Sequence, residues 1–251
     1  GSSAFPGQNY NYATVKYSST GIQQWSDTYN GTAGGSDESF SIAADNFGNV
    51  YVTGSSAGLG QLKDYVTIKY NQKPVGIITG IIEGFYNSAT DKMKRDTVKI
   101  YIRNSFSPYS LVDSSVSKPD SSGLGKFYFN GVSNGVNYYI ELKHRNSIRT
   151  WSSTWGSFTS GSMIYNFSSA ISQAFGNNMK QVDTTPLRFA IFSGDVNQDG
   201  IIDAGDLSQV ENDAGISLVG YENSDVTGDD FADAADVSIV ENNIGVTPVI
   251  P

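Results

Sequence analysis

Two copies of one acidic pattern, one starting at Asp195 and the other at Asp225, constrain this chain more than any other feature. The first reads Asp195-Val-Asn197-Gln-Asp199-Gly200-Ile201-Ile-Asp203-Ala-Gly-Asp206, and the second Asp225-Val-Thr227-Gly-Asp229-Asp230-Phe231-Ala-Asp233-Ala-Ala-Asp236. Side-chain oxygens fall at positions one, three, five, nine and twelve of each window, and the carbonyls of Ile201 and Phe231 stand at position seven. A tight loop with this spacing aims six oxygens at one centre. That donor set suits Ca²⁺, which accepts many hard oxygen ligands in flexible geometry, better than Mg²⁺ or a soft metal. Without a cation, four carboxylates so close together repel one another, so the loop needs an ion to close.

Each window runs into an apolar stripe at helical spacing, Leu207, Val210 and Ala214 in one copy and Val237, Val240 and Ile244 in the other. Gly215 and Gly245 stand where those helices stop. The copies agree at 11 of the 21 positions from Asp195 to Gly215, which a solvated acidic linker has no reason to do. No helix precedes the first loop, because Phe189 to Phe192 reads as a strand. Loop then helix, duplicated, resembles the type I dockerin rather than a helix-loop-helix EF-hand. The resemblance implies two calcium sites and a cohesin-like surface receptor as partner. The second site is expected to bind more weakly: Asp230 replaces the glycine of the sharp turn, and Thr227 is a poorer ligand than Asn197. The family's partner-contact positions also depart from its hydroxyl and basic pattern. They read Ala204-Gly205 and Ala234-Ala235 on the loops, with Glu211-Asn212 and Glu241-Asn242 on the helices.

Charge follows the same division. The stretch from Ser193 to Pro251 holds 13 acids and no Lys or Arg, out of 25 acids and 16 bases in the chain. The acidity is local, bound calcium would neutralise much of it, and no basic stripe supports nucleic-acid binding. There is no cysteine, which excludes disulfides, thiol nucleophiles and thiolate metal sites. No apolar run approaches the roughly 20 residues of a membrane span, so the chain is not expected to cross one. No signal-peptide pattern is present, so the chain reads as a mature or trimmed product. Calcium loops and a composition rich in Gly, Ser, Thr, Asn and Tyr favour an extracellular place on a bacterial surface.

The stretch from Gly1 to Asn71 repeats itself. Gly1 to Tyr17 recurs as Gly54 to Tyr70, so Gly1-Ser2-Ser3 belongs to the repeat and is not a cloning scar. Four alternating strands are expected per period, at Tyr12–Tyr17, Ile22–Tyr29, Phe40–Ala44 and Val50–Gly54, with a hairpin turn at Asp45–Asn49. Tyr-Ala-Thr-Val-Lys-Tyr, Gly-Asn-Val-Tyr-Val-Thr-Gly and Asp-Tyr-Val-Thr-Ile-Lys-Tyr resemble the bacterial SBBP β-propeller repeat. The resemblance implies one propeller-like blade whose broad faces neighbours would ordinarily cover.

After Lys73-Pro74 the pattern predicts a β-sandwich from 75 to 192. Ile77 to Phe85 is an apolar run fit for one buried strand. Val98, Ile100 and Ile102 alternate with polar residues, as do Phe127 and Phe129, and Tyr138, Ile140 and Leu142. Leu187 to Phe192 closes the unit, and Ser168 to Phe175 is a candidate short helix. The order of strands, with Gly123-Leu-Gly-Lys-Phe-Tyr-Phe and Gly135-Val-Asn-Tyr-Tyr-Ile, looks like the transthyretin-like or Cna-B-like sandwiches of bacterial surface proteins.

Candidate chemistry outside the acidic loops is sparse. His144 is the only histidine, and no nucleophile-elbow motif accompanies it, so it is read as a structural hydrogen-bonding group. Trp151, Trp155 and Tyr165 form a candidate sugar platform, weighed against a core role. The expected fold is mainly β: an SBBP propeller-like blade at 1–72, a sandwich at 75–192, and a small α dockerin-like module with two calcium loops at 193–251. The leading functional expectation is a non-catalytic, secreted, calcium-binding structural or adhesive protein, a filament or surface-layer subunit that binds other copies of itself. The alternatives are a cohesin-binding anchoring region of a larger surface protein, and a carbohydrate-binding module that binds glycans.

Overall fold

The computed structural model describes all residues except 4–8, 18–20, 22, 46–47 and 59–61. The chain divides into two compact units, Gly1–Gln72 and Lys73–Pro251.

Unit 1 contains β1 (Ser2–Ser3), β2 (Asn11–Tyr17), β3 (Gln23–Tyr29), β4 (Glu38–Ala44), β5 (Val50–Ala57) and β6 (Lys63–Tyr70). They make two antiparallel sheets, β1-β2-β3 and β4-β5-β6. The strands lie where alternation places them; the expected start of the second at Ile22, and the middle of the turn at 46–47, fall outside the described residues. At the ends of that turn, the Asp45 carboxylate accepts the Asn49 backbone N–H at 3.0 Å and the Tyr51 hydroxyl at 3.1 Å. The two sheets meet along the Tyr12 side of β2. Tyr12 is fully buried and stands edge-on to Tyr29. Thr14 Oγ1 donates to the Tyr70 hydroxyl at 3.3 Å, Lys16 Nζ to Gln72 Oε1 at 2.6 Å, and Trp25 packs on Tyr70 with ring centres 5.3 Å apart. Gly54 lies under the Tyr12 hydroxyl and beside the Glu38 carbonyl, so any side chain there would push the sheets apart.

Unit 2 opens with β7 (Val75–Thr79), followed by β8 (Tyr86–Asn87), β9 (Lys92–Met93), β10 (Val98–Asn104), β11 (Leu111–Ser117), β12 (Leu124–Tyr128) and β13 (Asn137–Lys143). Then come β14 (Thr150–Trp151), β15 (Gly156–Ser157), β16 (Ser162–Asn166), β17 (Lys180–Thr184) and β18 (Leu187–Ala190), and the helices α1 (Ala204–Gly215) and α2 (Ala234–Asn243). One sheet runs β11-β10-β13-β14, with β15 also on β13; a second runs β12-β7-β16. The apolar core joins them: Ile78, Phe127 and Met163 from one sheet with Phe129 just past the end of β12, and Ile100, Ile102, Ile140 and Leu142 from the other.

Three expectations are corrected. The run from Ile77 to Phe85 does not stay one strand. β7 ends at Thr79, and Glu83–Phe85 forms a 3₁₀ turn. The chain turns at Gly80, which packs under the Leu142 side chain and donates to the Gly123 carbonyl at 3.0 Å. Ile81 and Ile82 stay buried because they move beside Ile191, whose N–H donates to the Ile81 carbonyl at 2.9 Å. Ser168 to Phe175 is not one helix but 3₁₀ turns at Phe167–Ser169, Ile171–Gln173 and Phe175–Asn177, interrupted by extended Ala170. β13 does not alternate either. Tyr139 and Glu141 are buried as well, because Trp151 and Tyr109 pack edge-on against the second face at Tyr139, and Arg103 pairs with Glu141 at 2.7 Å.

Candidate functional site

The two acidic windows fold into loops with the same hydrogen bonds, because the same residue types recur at the same offsets. Asp206 Oδ1 accepts the N–H groups of Val196 (2.8 Å) and Asn197 (3.1 Å); Asp236 Oδ1 accepts those of Val226 (2.7 Å) and Thr227 (2.8 Å). Positions nine and twelve also cap the helices. Asp203 accepts from the Gly205 N–H and Asp206 from the Asp203 N–H, and Asp233 and Asp236 repeat this at α2. The capping box satisfies donors that a helix start leaves free. At position six, Gly200 has φ +95° and Asp230 φ +70°. A residue with a side chain therefore sits in the left-handed region in the second loop, at some conformational cost.

The loops are tied to each other crosswise. Ile202 of the first pairs with the chain after α2, donating to the Val246 carbonyl at 3.0 Å and accepting from the Gly245 N–H at 2.8 Å. Ala232 of the second donates to the Leu218 carbonyl, after α1, at 2.9 Å. Val196, Ile202, Val210, Val226 and Val240 make a small core that also takes in Ile148 and Phe192 from the sheet region.

The donors fit a hard cation. Asp195, Asp206, Asp225 and Asp236 are almost wholly buried. Burial pushes Asp195 up to about 6, and the neighbouring carboxylates Asp206 and Asp199 push the same way. Burial also raises Asp236. These are acids held together against their own repulsion, the condition a divalent ion relieves. In the second loop the Thr227 hydroxyl is buried beside Asp236 without a hydrogen bond of good geometry. As the side chains stand, no three acidic groups among the described residues converge tightly enough to enclose an ion. Several of their oxygens are turned to loop N–H groups instead: Asp199 Oδ1 accepts from Ile201 at 3.0 Å, and Asp229 Oδ1 from Phe231 at 3.2 Å. The loops thus hold Asp195, Asn197, Asp199, Asp203 and Asp206, and their counterparts in the second copy, in sequence on tight turns, with Ile201 and Phe231 at position seven.

Two polar knots fasten these loops to the sheets, and of their members only His144 was read from sequence as a structural hydrogen-bonding group. In the first, Glu83 accepts from Asn243 Nδ2 (2.6 Å), Lys180 Nζ (2.5 Å) and the Ser193 N–H (3.1 Å); Asn243 Nδ2 also reaches the Ser193 carbonyl at 2.8 Å. In the second, Arg145 donates to the Asp225 carbonyl and carboxylate, and Asn146 Nδ2 to the carbonyls of Asn223 (3.1 Å) and Asp225 (2.8 Å). Asp96 gathers His144 Nε2 (3.0 Å), Arg145 Nε (2.9 Å) and the Tyr221 hydroxyl (2.7 Å). Burial acts to raise the Asp96 pKa, but the hydrogen bonds from His144, Tyr221 and Arg145 prevail and hold it well below the usual carboxylate range. These residues lie up to 160 positions apart in the chain. The Glu and Asn of α2, read only as exposed partner-contact positions, gave no sign that the next residue, Asn243, is buried.

Ser147 Oγ lies 3.3 Å from His144 Nδ1, and Asp96 lies on the other ring nitrogen, an arrangement with the elements of a nucleophilic triad. Ser147 and His144 are both buried, and Nδ1 also faces Asn146 Oδ1 at 3.0 Å. A nucleophile needs an open approach for its substrate; this group is packed shut and serves as a joint. Two of the three aromatic rings follow the core reading rather than the sugar-platform one. Trp151 and Tyr165 are buried, the Tyr165 hydroxyl being spent on the Gln173 carbonyl at 2.6 Å, so only Trp155 of the three rings faces solvent.

Comparison with known proteins agrees with the two ends of the chain. Residues 24–60 match the beta-propeller repeat family SBBP, and residues 193–245 match the dockerin type I domain family. Type I dockerin domains typically bind calcium. A comparison with curated proteins finds no match. Among solved structures, a C-terminal interface mutant of a type II cohesin-X-dockerin complex from Acetivibrio cellulolyticus aligns at 16% identity and a TM-score of 0.41, covering 70% of this chain and 97% of that one. That likeness is too low to bear on the fold. No helix of the described residues is long and apolar enough to cross a membrane.

Proposed function

We propose that the chain is a non-catalytic attachment region, secreted to the bacterial surface, whose C-terminal segment binds a cohesin-like receptor when calcium closes its loops. The match of residues 193–245 to the dockerin type I family carries this reading and puts it ahead of the filament reading. Three modules serve it: a blade at 1–72, a sandwich platform at 75–192, and the calcium-closed tail at 193–251.

In the first loop, Asp195, Asn197, Asp199, Asp203 and Asp206, with the Ile201 carbonyl, would hold one Ca²⁺. In the second, Asp225, Thr227, Asp229, Asp233 and Asp236, with the Phe231 carbonyl, would hold another, more weakly. The ion supplies positive charge among buried acids; the polypeptide supplies the shape. Ala204, Gly205, Ala234 and Ala235 are exposed at the loop-helix junctions, and Glu211, Asn212, Glu241 and Asn242 along the helices. Beside them Ala214, Ala232, Ala234, Val237 and Phe231 line a groove edged by Glu211 and Asp233. A receptor fitting this surface has small apolar contacts with basic groups around them, the reverse of the charge that basic helix positions would select.

A panel of immobilised cohesins, titrated with the full chain in calcium and in EGTA, tests the reading. Calcium-dependent capture by at least one cohesin, weakened by Glu211→Lys with Glu241→Lys, is the expected result. Binding to none of the panel, with calorimetry showing the loops calcium-loaded, would remove the anchoring function while leaving the metal assignment in place.

A further inference from the structure

Residues 1–17 and 54–70 are two copies of one stretch of sequence, and their described strands pair in the same way. Ser2 pairs with Tyr12 and Ser3 with Asn11 on β1 and β2; Ser55 pairs with Tyr65 and Ser56 with Asp64 on β5 and β6. Every partner is shifted along the chain by the same amount, so the β1-β2 and β5-β6 pairs are equivalent, although β2 is the central strand of its sheet and β6 an edge strand of the other.

Their surroundings differ. Tyr12 is 0% exposed and its equivalent Tyr65 is 96% exposed. The cause lies within the unit itself. The Tyr12 and Thr14 side of β2 is covered by the β4-β5-β6 sheet, on the side where Ile68 and Tyr70 point. The same side of β6, carrying Tyr65 and Thr67, faces solvent. The complementary half is bare too: Val15 and Tyr17, the equivalents of Ile68 and Tyr70, are 41% and 58% exposed on the far side of β2. Side chains alternate across a strand, so these two bare faces lie on opposite sides of the unit, each with the register of a contact the unit already makes internally.

We propose that unit 1 stacks on a second copy of itself, head to tail: the Tyr65 and Thr67 face of one copy covers the Val15 and Tyr17 face of the next. The Thr67 hydroxyl of one copy then meets the Tyr17 hydroxyl of the other, as Thr14 meets Tyr70 within the chain. Tyr65 becomes buried as Tyr12 is. The two faces are different surfaces, so the contact is heterologous, and it continues into a closed ring or an open file according to the rotation per copy. The stacking involves neither acidic loop and stands apart from the anchoring reading.

The chain has no cysteine, so introduced thiols are the only ones it carries. Full-length Thr67→Cys and Tyr17→Cys chains are mixed in the presence of calcium with a bis-maleimide cross-linker spanning about 10 Å, the spacing of packed sheets. The expected product is a covalent dimer that forms in the mixture and not with either variant alone, and a ladder of oligomers from the chain carrying both substitutions. Adding Tyr65→Asp to the Thr67→Cys chain abolishes the mixed dimer. If the folded variants, checked by circular dichroism, give no dimer in the mixture, or cross-link equally well alone, the proposed stacking is overturned.

Discussion

The Arg145 guanidinium holds the second acidic loop at two points at once, donating to the Asp225 backbone carbonyl at 3.1 Å and to its carboxylate at 3.3 Å. The same side chain reaches Asp96 and lies over the Tyr221 ring at 4.4 Å. A candidate metal ligand is therefore positioned by a residue of the sheet region, 80 positions earlier in the chain.

Arg145→Ala should destabilise unit 2 strongly. Both partners are largely buried, with side-chain exposures of 11% and 2%. Removing one member of a buried pair typically costs about 3–5 kcal/mol, most of it from the charge left behind. Urea denaturation would show it, and calorimetry should show the second calcium site weakened more than the first. A loss below about 1 kcal/mol would mean the knot does not hold the loop.

Calcium should stabilise more than the tail. The tail shares its core with Ile148 and Phe192, so chelation is expected to lower one cooperative transition across residues 73–251. At a hundredfold excess over Kd, one bound ion adds about 2.7 kcal/mol. Asp195→Ala should remove the tighter binding phase and Asp225→Ala the weaker. A melting profile indifferent to EGTA would discard both sites.

Gly84→Ala tests the docking of loop on sheet by packing alone. A methyl group at Gly84 would strike the Val226 carbonyl, which is backbone and has little room to yield. Overpacking of this kind costs about 1–3 kcal/mol. Hydrogen exchange should reveal faster opening of the 225–245 region with the sandwich core still protected. Unchanged exchange there would mean the tail does not depend on this close approach.

Acid should unfasten the Asp96 knot. A carboxyl whose pKa is lowered in the folded state adds stability above its unfolded pKa of about 3.9 and loses that stability as pH falls below it toward the folded value. Stability measured with saturating calcium should therefore fall between about pH 4 and pH 2. Asp96→Asn, which keeps the shape, should flatten that part of the slope. An equal slope in the variant would assign the acid sensitivity to other groups.

Much of this was readable in one dimension because the physics involved is local. Ligand spacing within a twelve-position window, a capping aspartate one turn from its partner and the period-two pattern of Val98, Ile100 and Ile102 all act between near neighbours. The acidic loops, both helices and most strands follow from such rules. The run from Ile77 to Phe85 misled because apolarity signals burial without saying what does the burying; Gly80 turns the chain, and Ile191 supplies the cover. Trp151 and Tyr165 took the core role that was weighed against the sugar platform, since an aromatic ring suits a core as well as a binding face.

The amino-acid sequence alone determined that two acidic turns exist, that they repeat, and that the stretch from Gly1 to Asn71 carries a propeller-type repeat. Only the tertiary structure decided that Arg145, Asn146, Glu83 and Asn243 join the second turn and its helix to the sheets, since such pairings span up to 160 positions and leave no periodic trace. It also decided that Tyr12 lies buried while its repeat partner Tyr65 lies bare. Identical side chains in the same register differ there because β2 has β3 beside it and a sheet across from it while β6 is an edge strand with its outer face bare, and that is a property of the assembled sheets.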